Sequence, residues 1–225
     1  MNKPTLVLIP GLLSDIFVWQ NQIAILEKHA NIIIPDINHF NDADDLIKNI
    51  INISPPKFFL AGHSMGGWLA IELMRNFSSH VQKLCILATS AGLDSNKKML
   101  LRKKCITLSS TVTEDELVNY LAQFYIYQPE IKANIIAMFK RNIKALIPQQ
   151  EAMIKRASCK SILPKINVPT TVLIGQEDKE FFKPTKHIAD HIPNAKLEII
   201  KNCGHMLTLE QPKSCSDLML NWLIS

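Results

Sequence analysis

Glycine is scarce in this chain, 7 in 225 residues, and 12 prolines complete a low count of backbone breakers. With 47% hydrophobic and 20% charged residues, this composition excludes collagen-like repeats, disorder and low-complexity linkers. No apolar run approaches the ~18 residues that a membrane span requires. Thr5 to Ile9 is apolar and follows Lys3, but Pro10, Gly11 and Asp15 interrupt the run and no small-residue cleavage site follows. It therefore reads as a first strand rather than a secretory leader. Paired cysteines are missing as well. Cys85, Cys105, Cys159, Cys203 and Cys215 are odd in number, scattered and without C-x-x-C spacing, which indicates neither a disulfide framework nor a zinc ribbon. Reduced thiols in a cytoplasmic protein are expected. The formal net charge of +5 is mild, and no nucleic-acid-binding motif accompanies it, so nucleic acid is not an expected partner.

What is present is an alternation of short β-branched runs with longer helical patterns, as in βαβ units closing a mostly parallel, doubly wound α/β sheet. The strand candidates are 5–9, 31–34, 57–61, 83–89, 169–174 and 196–200, each nearly continuously apolar, as strands covered on both faces are. Helices are expected at 17–29, 42–53, 65–77, 184–191 and 214–224. Residues 94–165 break the rhythm. They offer no strand and read as amphipathic helices, one opened by the capping-box pattern Thr113 to Glu116. The expected organisation is a core of 1–93 and 166–225 with a helical cap or lid, 94–165, inserted between them. That insertion holds 13 Lys and Arg against 6 Asp and Glu, net +7, while the rest of the chain sums to −2. That excess reads as a solvated helical face, with attraction of an anionic substrate or surface as the sharper reading, and the runs Asn96 to Lys98 and Arg102 to Lys104 read as a solvated face.

The most informative residues are Gly62-His63-Ser64-Met65-Gly66, directly after the strand 57–61 and before the helical pattern that starts near 65. A serine hydroxyl is a weak nucleophile and must be presented on a sharp turn beside a base. Gly62 and Gly66 permit such a turn, and the Met65 backbone N–H at the helix start is aimed at a developing oxyanion. This strand, G-x-S-x-G turn and helix resembles the nucleophile elbow of the α/β-hydrolase fold superfamily. The resemblance implies an acid after a later strand and a histidine after the last one. Gly175-Gln-Glu-Asp178 and Gly204-His205 resemble those two loops, so it casts Ser64, Asp178 and His205 as the catalytic residues, with Glu177 beside Asp178 as the competing acid. It also implies a second backbone oxyanion donor in the loop after the first strand, assigned to Leu12 with Leu13 as the alternative. Here Pro10 stands where the family commonly has histidine. Gly11, Leu13, His63, Phe124 and Met206 are the expected pocket residues. Phe124, Tyr125, Tyr127, Met138 and Phe139 read equally as a pocket wall or as the insertion's own core, and Trp19 as core packing. His187 and His191 have a metal-compatible spacing but lack the accompanying glutamate, so no metal site is expected.

The resemblance spans nearly the whole chain. It implies a serine hydrolase that cleaves a small or medium carboxylic ester or thioester through an acyl-enzyme, with no metal or organic cofactor. The same superfamily contains carbon–carbon bond hydrolases, lyases and cofactor-free haloperoxidases, and members that bind a small ligand without turnover; these remain alternatives. A non-enzymatic interaction protein using the +7 segment is a third reading. Oligomeric state is left open.

Overall fold

A computed structural model describes residues 3–40 and 42–225. Six strands form one sheet: β1 (Thr5–Ile9), β2 (Asn31–Ile33), β3 (Phe58–His63), β4 (Val81–Leu87), β5 (Thr170–Gly175) and β6 (Lys196–Ile200), in the order β2-β1-β3-β4-β5-β6. Every pairing is parallel, for example Ile9 opposite Gly62 and Gly62 opposite Ile86. Parallel strands need crossovers, and the chain supplies helices for them. These are α1 (Gln20–Leu26), α2 (Ala43–Ile53), α3 (Met65–Phe77), α4 (Asn96–Leu108), α5 (Glu114–Ala122), α6 (Lys132–Asn142), α7 (Leu146–Lys155), α8 (Phe182–His191), α9 (Leu207–Glu210) and α10 (Pro212–Ile224). Helix α3 packs on β1, β3 and β4, α8 on β5 and β6, and α10 on α1, β4 and β6. This is the α/β-hydrolase fold.

Local chemistry sets the boundaries. Asp42 caps α2 by accepting hydrogen bonds from the N–H groups of Asp44 (2.8 Å) and Asp45 (3.3 Å), and those two carboxylates sit in the first turn, where the helix dipole favours them. Thr113 and Glu116 form the reciprocal capping box on α5. The helix expected at 17–29 is instead a 3-10 turn, Ile16–Trp19, followed by the shorter α1, because Asp15 accepts from the Phe17 N–H and starts the chain turning early. Strand β4 begins at Val81 and ends at Leu87 rather than running to 89; Ala88 takes a positive φ of 44° that leaves the sheet. Pro169 lies just outside β5, where its carbonyl accepts from the Leu84 N–H at 3.0 Å and its missing N–H costs nothing. The short α9 was not expected from the sequence.

Between β4 and β5 the described chain contains α4 to α7 and no strand. Helix α4 packs on α7 and α5 on α6 around Leu117, Leu121, Ile135, Met138, Phe139 and Leu146, all buried. Burial of such side chains contributes about 1.5–3 kcal/mol each, and they belong to the same hydrophobic core as the sheet. What positions the site is the strand order. The chain crosses from β2 back over β1 to β3, so the loops leaving β1 and β3 diverge at their carboxyl ends and open a crevice.

Candidate active site

Ser64 sits in that crevice, between β3 and α3, with φ 55° and ψ −115°. A non-glycine residue there is strained by about 1–3 kcal/mol and persists only if its surroundings hold it. They do. The Ser64 N–H donates to the Leu87 carbonyl at 2.9 Å, and the Ser64 carbonyl accepts from Gly67 N–H at 3.0 Å and Thr89 Oγ1 at 2.6 Å. The tight turn also demands glycine on both sides. A Cβ on Gly62 would collide with the Gly66 carbonyl, and one on Gly66 with the carbonyls of Ile9 and Pro10.

His205, from the loop after β6, places Nε2 2.9 Å from Ser64 Oγ and Nδ1 2.7 Å from Asp178 Oδ2. The Nδ1–H donates to the carboxylate, which leaves Nε2 bare to accept the serine proton. Asp178 follows β5, and its other oxygen accepts from the Phe181 N–H at 3.0 Å. Burial alone would raise the Asp178 pKa, but the His205 imidazole and the Phe181 N–H outweigh it and hold the carboxyl below its usual range. Glu177 does not reach the histidine; its N–H donates to the Cys203 carbonyl at 2.8 Å.

Leu12 and Met65 both line the cavity beside Ser64. Met65 is the first residue of α3, so its N–H has no partner within the helix. In the loop after β1, the Leu13 N–H is already committed to Gln149 Oε1 at 2.8 Å, whereas Leu12 lines the cavity beside Ser64 and Met65. Of the two donors that the sequence left open, Leu12 is therefore the one free to meet a ligand.

A cavity opens above Ser64. Its floor is Leu12, Ser64, Met65 and Thr89, and its wall is supplied by Leu121, Phe124 and Tyr125 of the helical segment. Phe124 is among the lining, and the other four expected pocket residues are not. Leu13 is fully buried and tied to Gln149; Met206 is buried at the start of α9; Gly11 offers only backbone, packed under Ser64 Cβ. His63 lies beneath His205, with Nε2 2.9 Å from the His205 carbonyl. Burial, and then the proximity of His205, lowers its pKa from 6.5 to about 3, so it is neutral, with Nε2–H donating and Nδ1 buried without a partner. Trp19 packs edge-on against the His63 ring and is fully buried. Met138 and Phe139 are buried within the helical segment, and Tyr127 points outward, 48% exposed. His187 and His191 stack on α8, and among the described residues no group of three or more His, Cys, Asp or Glu could hold a metal ion.

Sequence reasoning missed the charged wall. Lys98, Leu101, Arg102 and Cys105 form one stripe of α4 facing the cavity, and Arg156 and Glu180 join it. The spacing i, i+3, i+4, i+7 was readable, but two of its four members are cations and the eye assigns them to solvent. Glu210 was missed too. This buried carboxylate accepts from the Tyr127 N–H at 2.9 Å and from the Gly204 N–H, bridging the helical segment to the histidine loop.

The sequence model of a family described as "Serine aminopeptidase, S33" matches residues 31–212. Monoacylglycerol lipase ABHD6 of Homo sapiens is 23% identical over 258 residues, covering 100% of this chain and 76% of the relative. Among solved structures, the enol-lactonase from Burkholderia xenovorans LB400 superposes with a TM-score of 0.86 at 18% identity, covering 100% of this chain and 93% of that one. MenH from S. aureus gives 0.84 at 20% identity, covering 99% and 94%. At these identities the two structures speak for the fold. Among the described residues no helix is long and apolar enough to cross a membrane. By the extent of the family match and the architecture it accompanies, the chain belongs to the serine aminopeptidase S33 family and is a hydrolase of the α/β-hydrolase fold.

Proposed function

We propose that the protein is a serine hydrolase acting through an acyl-enzyme on a small or medium carboxylic ester or thioester. The observation that carries this reading is the unbroken hydrogen-bonded chain Ser64 Oγ, His205, Asp178 at the floor of a cavity. In the first half-reaction Ser64 Oγ attacks the carbonyl carbon while His205 Nε2 takes its proton. The oxyanion accepts hydrogen bonds from the Leu12 and Met65 N–H groups. Collapse breaks the bond to the alcohol or thiol, which leaves with the proton returned by His205. Water then enters, is deprotonated by His205, attacks the acyl carbon and releases the acid and the Ser64 hydroxyl. Asp178 fixes the imidazole tautomer and stabilises its cationic form, a task suited to its depressed pKa. His63 anchors the backbone from which His205 works. The helical segment roofs the cavity and limits substrate size.

The preference for an ester draws on the relatives as well. A monoacylglycerol lipase and an enol-lactonase are both named for substrates joined by an oxygen ester. Labelling with a fluorophosphonate and locating the adduct by mass spectrometry tests the reading. An adduct on Ser64 that is absent from Ser64→Ala and His205→Ala, with sustained linear turnover of an ester or thioester, is the expected result. A well-folded protein that takes no label, or a product burst that then stalls, would replace the hydrolase with a ligand-binding protein.

A further inference from the structure

The wall of the Ser64 cavity carries more positive charge than its own structure uses. Asp94 is shared by two arginines: Arg102 pairs with it through Nε, and Arg156 Nη2 donates to it at 2.7 Å and to the Gly92 carbonyl at 3.0 Å. The side chains of Arg102, Arg156 and Asp94 are only 8%, 3% and 2% exposed. Arg102 Nη1 donates to Gln150 Oε1 at 2.7 Å. Lys98, beside them, is matched by Glu180 at 2.7 Å and lies over the Phe181 ring. Three cations thus meet two carboxylates, and the surplus positive charge belongs to the buried arginine pair. Arg156 Nε is buried with no hydrogen-bond partner. The remainder of the wall is largely apolar, with Leu101, Leu121 and Met153.

An unbalanced charge held in such surroundings is costly unless something compensates it, and clamping the loop at Asp94 would need one arginine, not two. Both arginines line the same cavity as Ser64. The exposed Lys97, Lys103 and Lys104 give most of α4 its basic look, but they are screened by solvent and contribute little to selectivity. The surplus is a single charge. A carboxylate matches it and fits the planar guanidinium fork, whereas a phosphate monoester would bring close to two negative charges.

We propose that Arg102 and Arg156 form a carboxylate subsite of the Ser64 cavity, so that the preferred substrate is an ester or thioester bearing a free carboxylate. This rests on the reading of Ser64 as nucleophile. The carboxylate belongs either to the acyl arm, as in a half-ester of a dicarboxylic acid, or to the leaving group, as in an esterified hydroxy acid.

Two substrate pairs distinguish these sources. Mono-p-nitrophenyl glutarate against p-nitrophenyl butyrate places the charge in the acyl arm; 4-acetoxybutanoate against butyl acetate places it in the leaving group. The expected result is a kcat/KM at least tenfold higher for the charged member of one pair, and a tenfold or greater fall in that ratio in Arg102→Gln. Where Arg102→Gln does not fold, Arg156→Gln, which leaves Arg102 paired with Asp94 and removes the same surplus charge, serves instead. Neutral esters winning both pairs, or a ratio unchanged in the folded variants, would overturn the proposal. Calorimetric binding of glutarate to Ser64→Ala separates this from failure of the nucleophile. Binding at least tenfold tighter than in Ser64→Ala with Arg102→Gln, in a protein that turns over no ester, would keep the subsite and remove the hydrolase. Equal binding in the two, with esters still hydrolysed, would do the reverse.

Discussion

The floor and the wall of the cavity come from different kinds of chain. The floor is built where strands β1, β3 and β4 run into short loops, with the Asp178 and His205 loops after β5 and β6 beside it, and these loops have strict local requirements: a left-handed serine, glycines against carbonyls, a histidine beside a carboxylate. The wall is built where helices pack, and a helix places a side chain by its neighbours rather than by its own turn. The charges follow the same division, +7 over residues 94–165 and −2 elsewhere. The floor supplies reaction chemistry that many substrates could share. The wall is lined by Arg102, Arg156, Phe124 and Tyr125, and in the proposed reading it is what sets selectivity.

That division is broken most severely at the floor. Ser64→Ala and His205→Ala are each expected to lower kcat by about 10^4 to 10^6-fold with the melting temperature nearly unchanged, measured by ester hydrolysis and thermal unfolding. Asp178→Asn leaves the packing in place but lets an amide donate where a carboxylate accepted. About 10^3 to 10^4-fold in kcat is expected to be lost, since the wrong tautomer of His205 would face Ser64.

A cut in the wall is expected to read differently. Phe139 is almost wholly buried and meets the Tyr125 ring edge-on, with centroids 5.7 Å apart, and Tyr125 faces both the cavity and His205. Phe139→Ala should cost about 3–5 kcal/mol of stability in chemical denaturation and raise KM more than it lowers kcat. An equal fall in kcat and kcat/KM would show that the wall belongs to the reaction machinery after all.

The most gradual effect lies beneath the floor. His63 titrates near 6.5 when unfolded and at about 3 when buried, so between those values the unfolded chain binds the extra proton and the native protein does not. Stability associated with this group is present above pH 6.5 and is lost on acidification through that window, with a slope approaching about 1.4 kcal/mol per pH unit. Urea denaturation at a series of pH values should show this slope and its flattening in His63→Asn. An unchanged slope in the variant would assign the acid sensitivity to other groups.

The sheet was legible because buried parallel strands read as apolar runs, and their order in the chain suffices to place the loops. Errors fell at ends decided by single contacts, such as Ala88 turning out of β4, Asp15 starting a 3-10 turn and Pro169 lending only its carbonyl. The Ser64, Asp178 and His205 loops were legible because a strand end and a glycine mark each. Leu12 and Leu13 could not be separated in the sequence, since what distinguishes them is Gln149, more than a hundred residues away. For the same reason His63 and Met206 were expected in a pocket that they only support. Lys98 and Arg102 looked like surface residues because the partners that bury them, Asp94, Gln150 and Glu180, lie on other turns of the chain.

The central claim is that Ser64 becomes covalently acylated during turnover. Rapid acid quench of the enzyme mixed with a p-nitrophenyl ester, followed by intact-mass and peptide analysis, tests it directly. A transient mass gain equal to the acyl group, mapped to Ser64 and decaying at the rate of turnover, is the expected result; hydrolysis that proceeds with no adduct, or with an adduct that persists in Ser64→Ala, would contradict it.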